Sequence, residues 1–146
     1  MAPPPHHDDP YRRHSFRVEI DGLQSAAFSE VSGLAAETAV IEYRVGTDPV
    51  GHVRKLPGLT RHPNIVLRRG ITQNRELWEW HARIRDGQAD RRNGSVVMLD
   101  DTGAEVVRWN FLHGWITKIE GPELDATANE VAIESVEIAH DRLELA

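Results

Sequence analysis

Four of the residues that could bind a metal ion lie in a proline-rich segment near the N-terminus, which is unfavourable for a metal site. His6, His7, Asp8 and Asp9 are ligand types in a segment that also contains Pro3, Pro4, Pro5 and Pro10. A metal site needs a rigid scaffold to fix its coordination geometry, so we interpret this cluster as part of a solvated tail. The other histidines are scattered and lack the helical i, i+4 spacing with Glu that marks zinc hydrolases. We expect surface or structural roles for His14, His52, His62, His81, His113 and His140.

The other residues that could do chemistry fit turns better than catalysis. Asp100-Asp101 is a carboxylate pair, but Asp is a common turn former. Asn93-Gly94-Ser95 matches a glycosylation sequon, yet Asn-Gly is also a strong turn signal. The sequence has no G-x-S-x-G elbow, phosphate loop or dinucleotide fingerprint, and it contains no Cys. We therefore predict no catalytic residue, no cofactor and no metal site, and we expect that the protein is not an enzyme.

Charge is distributed unevenly along the chain. The net charge is -6, but residues 51–92 contain 10 Lys+Arg and 4 Asp+Glu, leaving 7 and 19 for the rest. Such asymmetry would let copies of the chain attract one another. The basic residues are separated by strands and a helix and need not share one face, which argues against a nucleic-acid interface.

The chain length of 146 residues indicates one domain. The proline-rich composition of residues 1–13 predicts a flexible N-terminal arm, and residues 14–146 form the domain. The sequence has neither the apolar core of a signal peptide nor a run of about 20 apolar residues. We expect synthesis and assembly in the cytoplasm, without membrane insertion by this chain.

Alternating apolar residues from Phe16 to Ile20 predict a strand, with Asp21-Gly22 as a hairpin turn to a return strand at 26–31. Asn93-Gly94 is expected to start a strand, a break is expected at His113-Gly114, and bulges are expected near Val40-Ile41 and Glu134-Ser135. Further strands are predicted at 37–45, 64–69, 95–99, 104–111, 115–120 and 130–140.

A single helix is predicted at residues 73–86. Leu77, Trp80 and Ile84 recur at helical spacing, with Thr72 as N-cap and Gly87 as the stop. Residues 46–59 show no regular pattern and predict a long loop. About eight strands and one helix predict a mainly β fold, a β-barrel or sandwich flanked by one α-helix.

Five collinear segments resemble the tail tube protein family of contractile phage tails and contractile injection systems. The longest is VRKLPGLTRHPNIVLRRGITQNRELWEW at 53–80, and the others lie at 16–34, 41–44, 91–111 and 120–140. The resemblance implies a β-barrel with one helix, related to the haemolysin-coregulated tube protein of type VI secretion. It also implies homohexameric rings that stack into a hollow tube inside a contractile sheath.

The resemblance further implies partners and contacts. The partners are the sheath, the baseplate hub and spike, a tube terminator or cap, and luminal cargo, either a protein effector or DNA. By position, the loop at 46–59 would reach neighbouring subunits through Arg54, Lys55, Leu56 and Leu59; the alternative is an ordinary surface loop. Trp78 and Trp80 are two positions apart, so at most one faces the barrel squarely. Trp78 is the interface candidate, and packing within the domain is the alternative.

Two other functions remain open from the sequence. One is a tube-like adaptor or effector-binding ring near the baseplate of the same apparatus, and a more remote one is a ligand-binding β-barrel. Self-association distinguishes a tube subunit from an adaptor, because a tube subunit forms rings and filaments whereas an adaptor forms rings at most. The sequence leaves open the kind of particle, whether phage tail, bacteriocin, or extracellular or cytoplasmic injection system, and whether it is released from the cell or its tube is ejected into a target.

Overall fold

The computed structural model describes residues 15–23, 28–44, 46–47, 51 and 53–146. The predicted arm at 1–13 lies outside these residues, as does part of the predicted return strand at 26–31. The described residues form nine strands and one α-helix, which confirms the mainly β prediction. The elements are β1 (Phe16–Ile20), β2 (Glu30–Ser32), β3 (Glu37–Tyr43), β4 (Arg54–Arg61), β5 (Ile65–Gly70), α1 (Glu76–Arg85), β6 (Arg92–Leu99), β7 (Glu105–Glu120), β8 (Ile133–Ala139) and β9 (Arg142–Leu145).

Seven strands form one antiparallel sheet in the order β1-β6-β7-β8-β5-β2, with β9 also paired to β7. Val18 of β1 and Leu67 of β5 belong to the same buried core, although three strands separate β1 from β5. The sheet therefore curves around its core as a barrel does. Its end strands β1 and β2 do not pair with each other within the described chain, and an open apolar groove lies between them.

The strand β7 continues through the predicted break at His113-Gly114. Leu112 pairs with Arg142 and Trp115 pairs with Ala139, so the pairing of β7 passes from β9 to β8 across the predicted break without a shift in register. His113 has φ 56°, in the left-handed region, and its backbone N–H donates to Asn93 Oδ1 at 3.0 Å. The predicted break is thus a local irregularity in the pairing of β7 with β6, inside a strand of 16 residues.

Strand partners also differ from the predictions. The turn at Asp21-Gly22 is present, but β1 pairs with β6 and β2 pairs with β5, so the predicted first hairpin is wrong. Asn93-Gly94 lies at the second and third positions of β6, so the predicted start of a strand is confirmed and the turn at this pair is wrong. A Cβ at Gly94 would lie 2.3 Å from the Phe111 ring, so glycine is needed there because that ring packs against the backbone.

The helix α1 matches its predicted position and buries Leu77 and Trp80. The N-cap residue is Arg75, not the predicted Thr72. The predicted stop is confirmed: Gly87 has φ 90° and donates its backbone N–H to the Ile84 carbonyl. No helix in the described part of the chain is long and apolar enough to cross a membrane.

Candidate assembly surface

The strands β3 and β4 form a separate antiparallel hairpin that protrudes from the body. They contact each other and no other helix or strand of the described chain, and every residue in both except Gly58 is exposed. The loop predicted at 46–59 is therefore wrong from Arg54 onward. Pro57 resembles a strand breaker, but proline is tolerated in an edge strand because its missing N–H is not needed there.

The protruding hairpin exposes apolar side chains on both faces. Val40 and Ile41 are adjacent in β3, so they point to opposite faces, and both are more than half exposed. Ile41 is paired across the strands with Leu56, and Leu59 is 77% exposed. Contiguous exposed apolar surface is typical of interaction sites, so both faces of the hairpin are candidate contact surfaces.

Within the described part of the chain, the basic residues of β4 lack ion-pair partners. Arg54, Lys55 and Arg61 form no ion pair with another described residue. Elsewhere in residues 51–92 most basic side chains are paired within the chain, for example Arg83 and Arg92 with Asp90 at 2.7 and 3.1 Å. The hydrogen bond from Arg92, followed by that from Arg83, lowers the pKa of Asp90. Positive charge outside ion pairs in this range therefore lies mainly on β4, where the cross-strand neighbours of Lys55 and Arg61 are Glu42 and Glu37.

Tight contacts fix the base of the hairpin. A Cβ at Gly33, which has φ 90°, would lie 2.1 Å from the Asn64 carbonyl oxygen. The chain segment before β3 and the one after β4 therefore approach each other more closely here than any residue with a side chain would allow. Asn64 Nδ2 donates to Glu137 Oε1 at 2.8 Å, and His140 Nε2 lies 3.1 Å from the Pro63 carbonyl oxygen. The hairpin consequently projects from a base anchored to β8 and to the residue that follows it.

The two helix tryptophans divide between core and surface. Trp80 is fully buried and donates its indole N–H to the Asp90 carbonyl at 2.7 Å. Trp78 is 43% exposed and donates to Glu134 Oε1. The other oxygen of Glu134 accepts from Arg69 Nε at 2.9 Å, and both of these charged side chains are 3% exposed. Trp78 is thus an exposed aromatic side chain held in place by a buried ion pair.

Sequence reasoning missed Glu134 as a structural residue. The predicted bulge near Glu134-Ser135 is wrong, because β8 pairs with β5 without interruption and the register shift lies on β7, between Ile116 and Lys118. Glu134 shares the buried phase of Val136 and Ile138. Because the inward-facing residue at position 134 is charged, the alternation of apolar residues along this segment looks shifted in the sequence. The two-residue spacing of Glu134 from the inward-facing Val136 and Ile138 was the signal that could have identified it.

The described residues contain no group of three or more His, Asp or Glu side chains arranged for a metal; His6 to Asp9 lie outside them. The carboxylate of Asp100 accepts hydrogen bonds from the backbone N–H groups of Thr102 and Ala104, both at 2.9 Å, and from the Thr102 hydroxyl. These bonds, that of the hydroxyl foremost, lower the pKa of Asp100. Asp100 therefore serves as a turn former.

Comparison with known proteins gives one consistent result. Residues 12–144 match the family model described as T4-like virus tail tube protein gp19. A chain in the extended sheath-tube complex of the PVC extracellular contractile injection system is 29% identical, with TM-score 0.85 and coverage of 96% of this chain and 93% of that one. A chain in the anti-feeding prophage cap structure is 27% identical, with TM-score 0.85 and coverage of 99% and 95%.

More distant structures share the fold. Hcp1 from Flavobacterium johnsoniae is 17% identical, with TM-score 0.60 and coverage of 89% of this chain and 93% of that one. No curated protein sequence matches the chain.

Proposed function

The chain belongs to the T4-like virus tail tube protein family, and from this premise we propose that it forms hexameric rings that stack into the tube of an extracellular contractile injection system. It is a structural tube subunit, of a family whose members are not enzymes. The observation that carries the proposal is the similarity to a chain of the PVC sheath-tube complex over 96% of this sequence. Mechanically, a contracting sheath would drive the preassembled tube into a target.

The protruding hairpin supports self-assembly. In a monomer Val40, Ile41, Leu56 and Leu59 remain 46–77% exposed, so each lacks part of the about 1.5–3 kcal/mol that complete burial of such a side chain contributes. A ring requires that one surface meet a different surface on the next copy, and the hairpin is distinct from everything else on the body. We propose Arg54, Lys55, Leu56 and Leu59 as intersubunit contacts, together with Trp78 on α1.

Partners follow from the same similarity. Similar chains occur in structures of a sheath-tube complex, a sheath/tube terminator and a tube-terminating cap. We propose that this tube likewise meets a sheath along its length, a baseplate at one end and a terminator or cap at the other. Its lumen would hold cargo, whether protein effector or DNA, and assembly in the cytoplasm would precede release of the particle.

A second candidate is a single-use ring at one end of the tube. The match to a chain in the anti-feeding prophage cap structure favours considering it. The two functions differ in whether rings propagate. A repeated subunit makes an open-ended stack, whereas a single-use ring stops after one layer.

Electron microscopy of the purified chain, combined with light-scattering mass, tests both. Sixfold rings together with hollow filaments are expected for a tube subunit. Rings that never stack at any protein concentration would favour the single-use ring. A monomer at every concentration would contradict both functions.

A further inference from the structure

Two histidines are in contact at the base of the hairpin. His62 directly follows β4, and His140 directly follows β8. Their ring centroids lie 5.7 Å apart, and the ring planes are tilted by 45°. His62 is also the first of the three residues that connect β4 to β5. This histidine pair therefore links one strand of the hairpin to the body.

The buried nitrogen atoms of the pair are suited to uncharged rings. The Nδ1 atoms of His62 and His140 are both buried, and neither has a hydrogen-bond partner among the described residues. His140 Nε2 lies 3.1 Å from the Pro63 carbonyl oxygen, so Nε2 carries the proton of the neutral ring and Nδ1 carries none. A second proton would create a charged N–H group at a buried position without an acceptor, which is unfavourable.

The surroundings of His140 disfavour its charged form on balance. Burial is the main cause that lowers its pKa below the ordinary 6.5. Backbone hydrogen bonds to Pro63 and Arg142 oppose this effect. The nearby His62 reinforces it, whereas the charge of Asp141 opposes it. The ring is therefore neutral at neutral pH and becomes charged only in acid.

The acidic groups near the pair are engaged by other residues. Asp141 Oδ2 lies 3.0 Å from His113 Nδ1 and 3.7 Å from Arg91 Nη1. Glu137, on β8, accepts a hydrogen bond from Asn64 Nδ2 in the β4–β5 connection at 2.8 Å. Within the described chain neither carboxylate forms an ion pair with the histidine pair, so a charge gained there is left largely uncompensated.

We propose that the histidine pair is a pH-sensitive switch that holds the hairpin to the body at neutral pH and loosens it in acid. Two positively charged rings at their present separation would repel each other. The buried N–H group of His140 would reach water only if the β4–β5 connection moved away from β8. Both rings belong to one chain, so the switch acts within a single subunit and does not depend on the proposed assembly.

The direction of the pH dependence follows from linkage. Because the closed form lowers the pKa of His140, the open form binds the proton more tightly. The closed form is therefore fully favoured above about pH 6.5 and becomes less favoured as the pH falls below that value. The ratio of open to closed subunits should rise by up to about tenfold per pH unit for each proton taken up on opening.

Fluorescent labels on two engineered cysteines test the switch, because the native chain contains no Cys. Glu42→Cys lies on the exposed hairpin, and Ala104→Cys lies in the exposed turn before β7. Single-molecule energy transfer between the labels, in subunits isolated as monomers, should show one narrow distance distribution at about pH 7.5 and a broad one at about pH 5. Ile41→Ser with Leu56→Ser provides a second background, without two exposed apolar side chains, in case the native chain assembles at every dilution.

Three histidine variants identify the group responsible. His140→Gln can still donate to the Pro63 carbonyl but cannot gain a charge, so it should keep the distribution seen at neutral pH and lose the response to acid. His62→Gln removes the neighbouring charge, so the response should be smaller and its midpoint closer to about 6.5. His81→Gln, on α1, is the matched control and should respond as the native chain does.

Circular dichroism of the same samples separates local opening from unfolding. The strand signal of the native chain should be unchanged at about pH 5 while the label distances broaden. A distance distribution that does not change with pH in the native chain would overturn the proposal. So would an acid response that persists in His140→Gln, or a loss of the strand signal that accompanies the broadening.

Discussion

At the scale of single residues, the buried ion pair of Arg69 and Glu134 should be the most sensitive polar contact of the body. Replacing one partner leaves the other charge buried without compensation, which costs about 3–5 kcal/mol. We expect Glu134→Gln to lower the free energy of unfolding by that amount in urea denaturation. Gln keeps only one acceptor oxygen for the two donors, Arg69 and Trp78, so the hydrogen bond of the Trp78 indole should be weakened or lost, which would change the tryptophan fluorescence of the folded protein.

The neighbouring ladder position offers a control. Arg68 and Glu30 form a similar pair at 3.3 Å, but both side chains are more than half exposed. Exposed pairs contribute about 0.2–1 kcal/mol, so Glu30→Gln should have little effect. Equal losses from Glu30→Gln and Glu134→Gln would show that burial does not determine the cost.

Gly33 should be essential for the base of the hairpin. Gly33→Ala places a Cβ against the Asn64 backbone at a positive φ, so it should destabilise the fold by more than about 1 kcal/mol. Gly70→Ala in β5 is the control, because nothing lies within 4 Å of its Cβ position. Thermal unfolding of both variants checks the prediction, and similar midpoints would contradict it.

His140 should make stability depend on pH near neutrality. Burial is the main cause that lowers its pKa below the ordinary 6.5, and the nearby His62 also lowers it, against hydrogen bonds to Pro63 and Arg142 and the charge of Asp141. A depressed histidine pKa means that protons bind the unfolded state better, so stability is complete above about 6.5 and declines as pH falls through that value.

Carboxylates contribute at lower pH. Hydrogen bonds from Arg108 lower the pKa of Glu19 and Glu105 below the ordinary 4.5, so their stabilisation is lost only below that value. Urea unfolding of His140→Gln should therefore lose the slope between about pH 7 and 5 and keep the acid slope. An unchanged slope near neutrality would contradict the role of His140.

At the scale of elements, the helix was the most predictable feature. The spacing of Leu77 and Trp80 and the stop at Gly87 are local signals that need no knowledge of the rest of the chain. Strand partners were not predictable, because alternation shows that a face is buried without showing which strand covers the edge. The hairpin at Asp21-Gly22 was wrong for this reason, since β1 pairs with the distant β6.

Family resemblance indicated the candidate contact residues on β4, but it did not indicate that they lie in a strand. The strands β3 and β4 show no inward and outward alternation, because neither face meets the core of their own chain. Leu56 and Leu59 therefore resembled loop residues. Their contribution to an interface remains a prediction.

The hairpin should contribute to assembly without contributing to the stability of the body. Ile41→Ser with Leu56→Ser removes an exposed cross-strand pair, so the free energy of unfolding of the body should change by no more than about 0.5 kcal/mol. Rings and filaments should be lost in electron microscopy. Leu67→Ala, a fully buried control, should instead cost about 2–5 kcal/mol. Normal assembly of the hairpin variant would contradict its interface role.

At the scale of the whole molecule, charge separation gives the subunit a direction. The β3–β4 hairpin and the acidic connection between β7 and β8 (residues 121–132) lie at opposite ends of the β5–β8 ladder. Arg54, Lys55 and Arg61 outnumber Glu37 and Glu42 on the hairpin, so copies oriented alike present unlike charges to each other. Copies oriented head to head would oppose like charges, which disfavours that arrangement. A net charge of -6 is thus compatible with strong self-association.

This polarity predicts that salt shortens filaments before it dissociates rings. Raising sodium chloride from about 0.1 M to 1 M reduces the Debye length from about 10 Å to 3 Å, which weakens attraction between exposed charges. It leaves apolar contacts largely unchanged, so rings that rely on such contacts should persist. Mean filament length in electron micrographs should fall with salt while the ring diameter remains constant.

A variant with Arg54→Gln and Lys55→Gln should form short filaments at low salt and respond little to further salt. Filament lengths that are independent of salt in the native chain would show that apolar packing alone, and not charge, holds successive rings together.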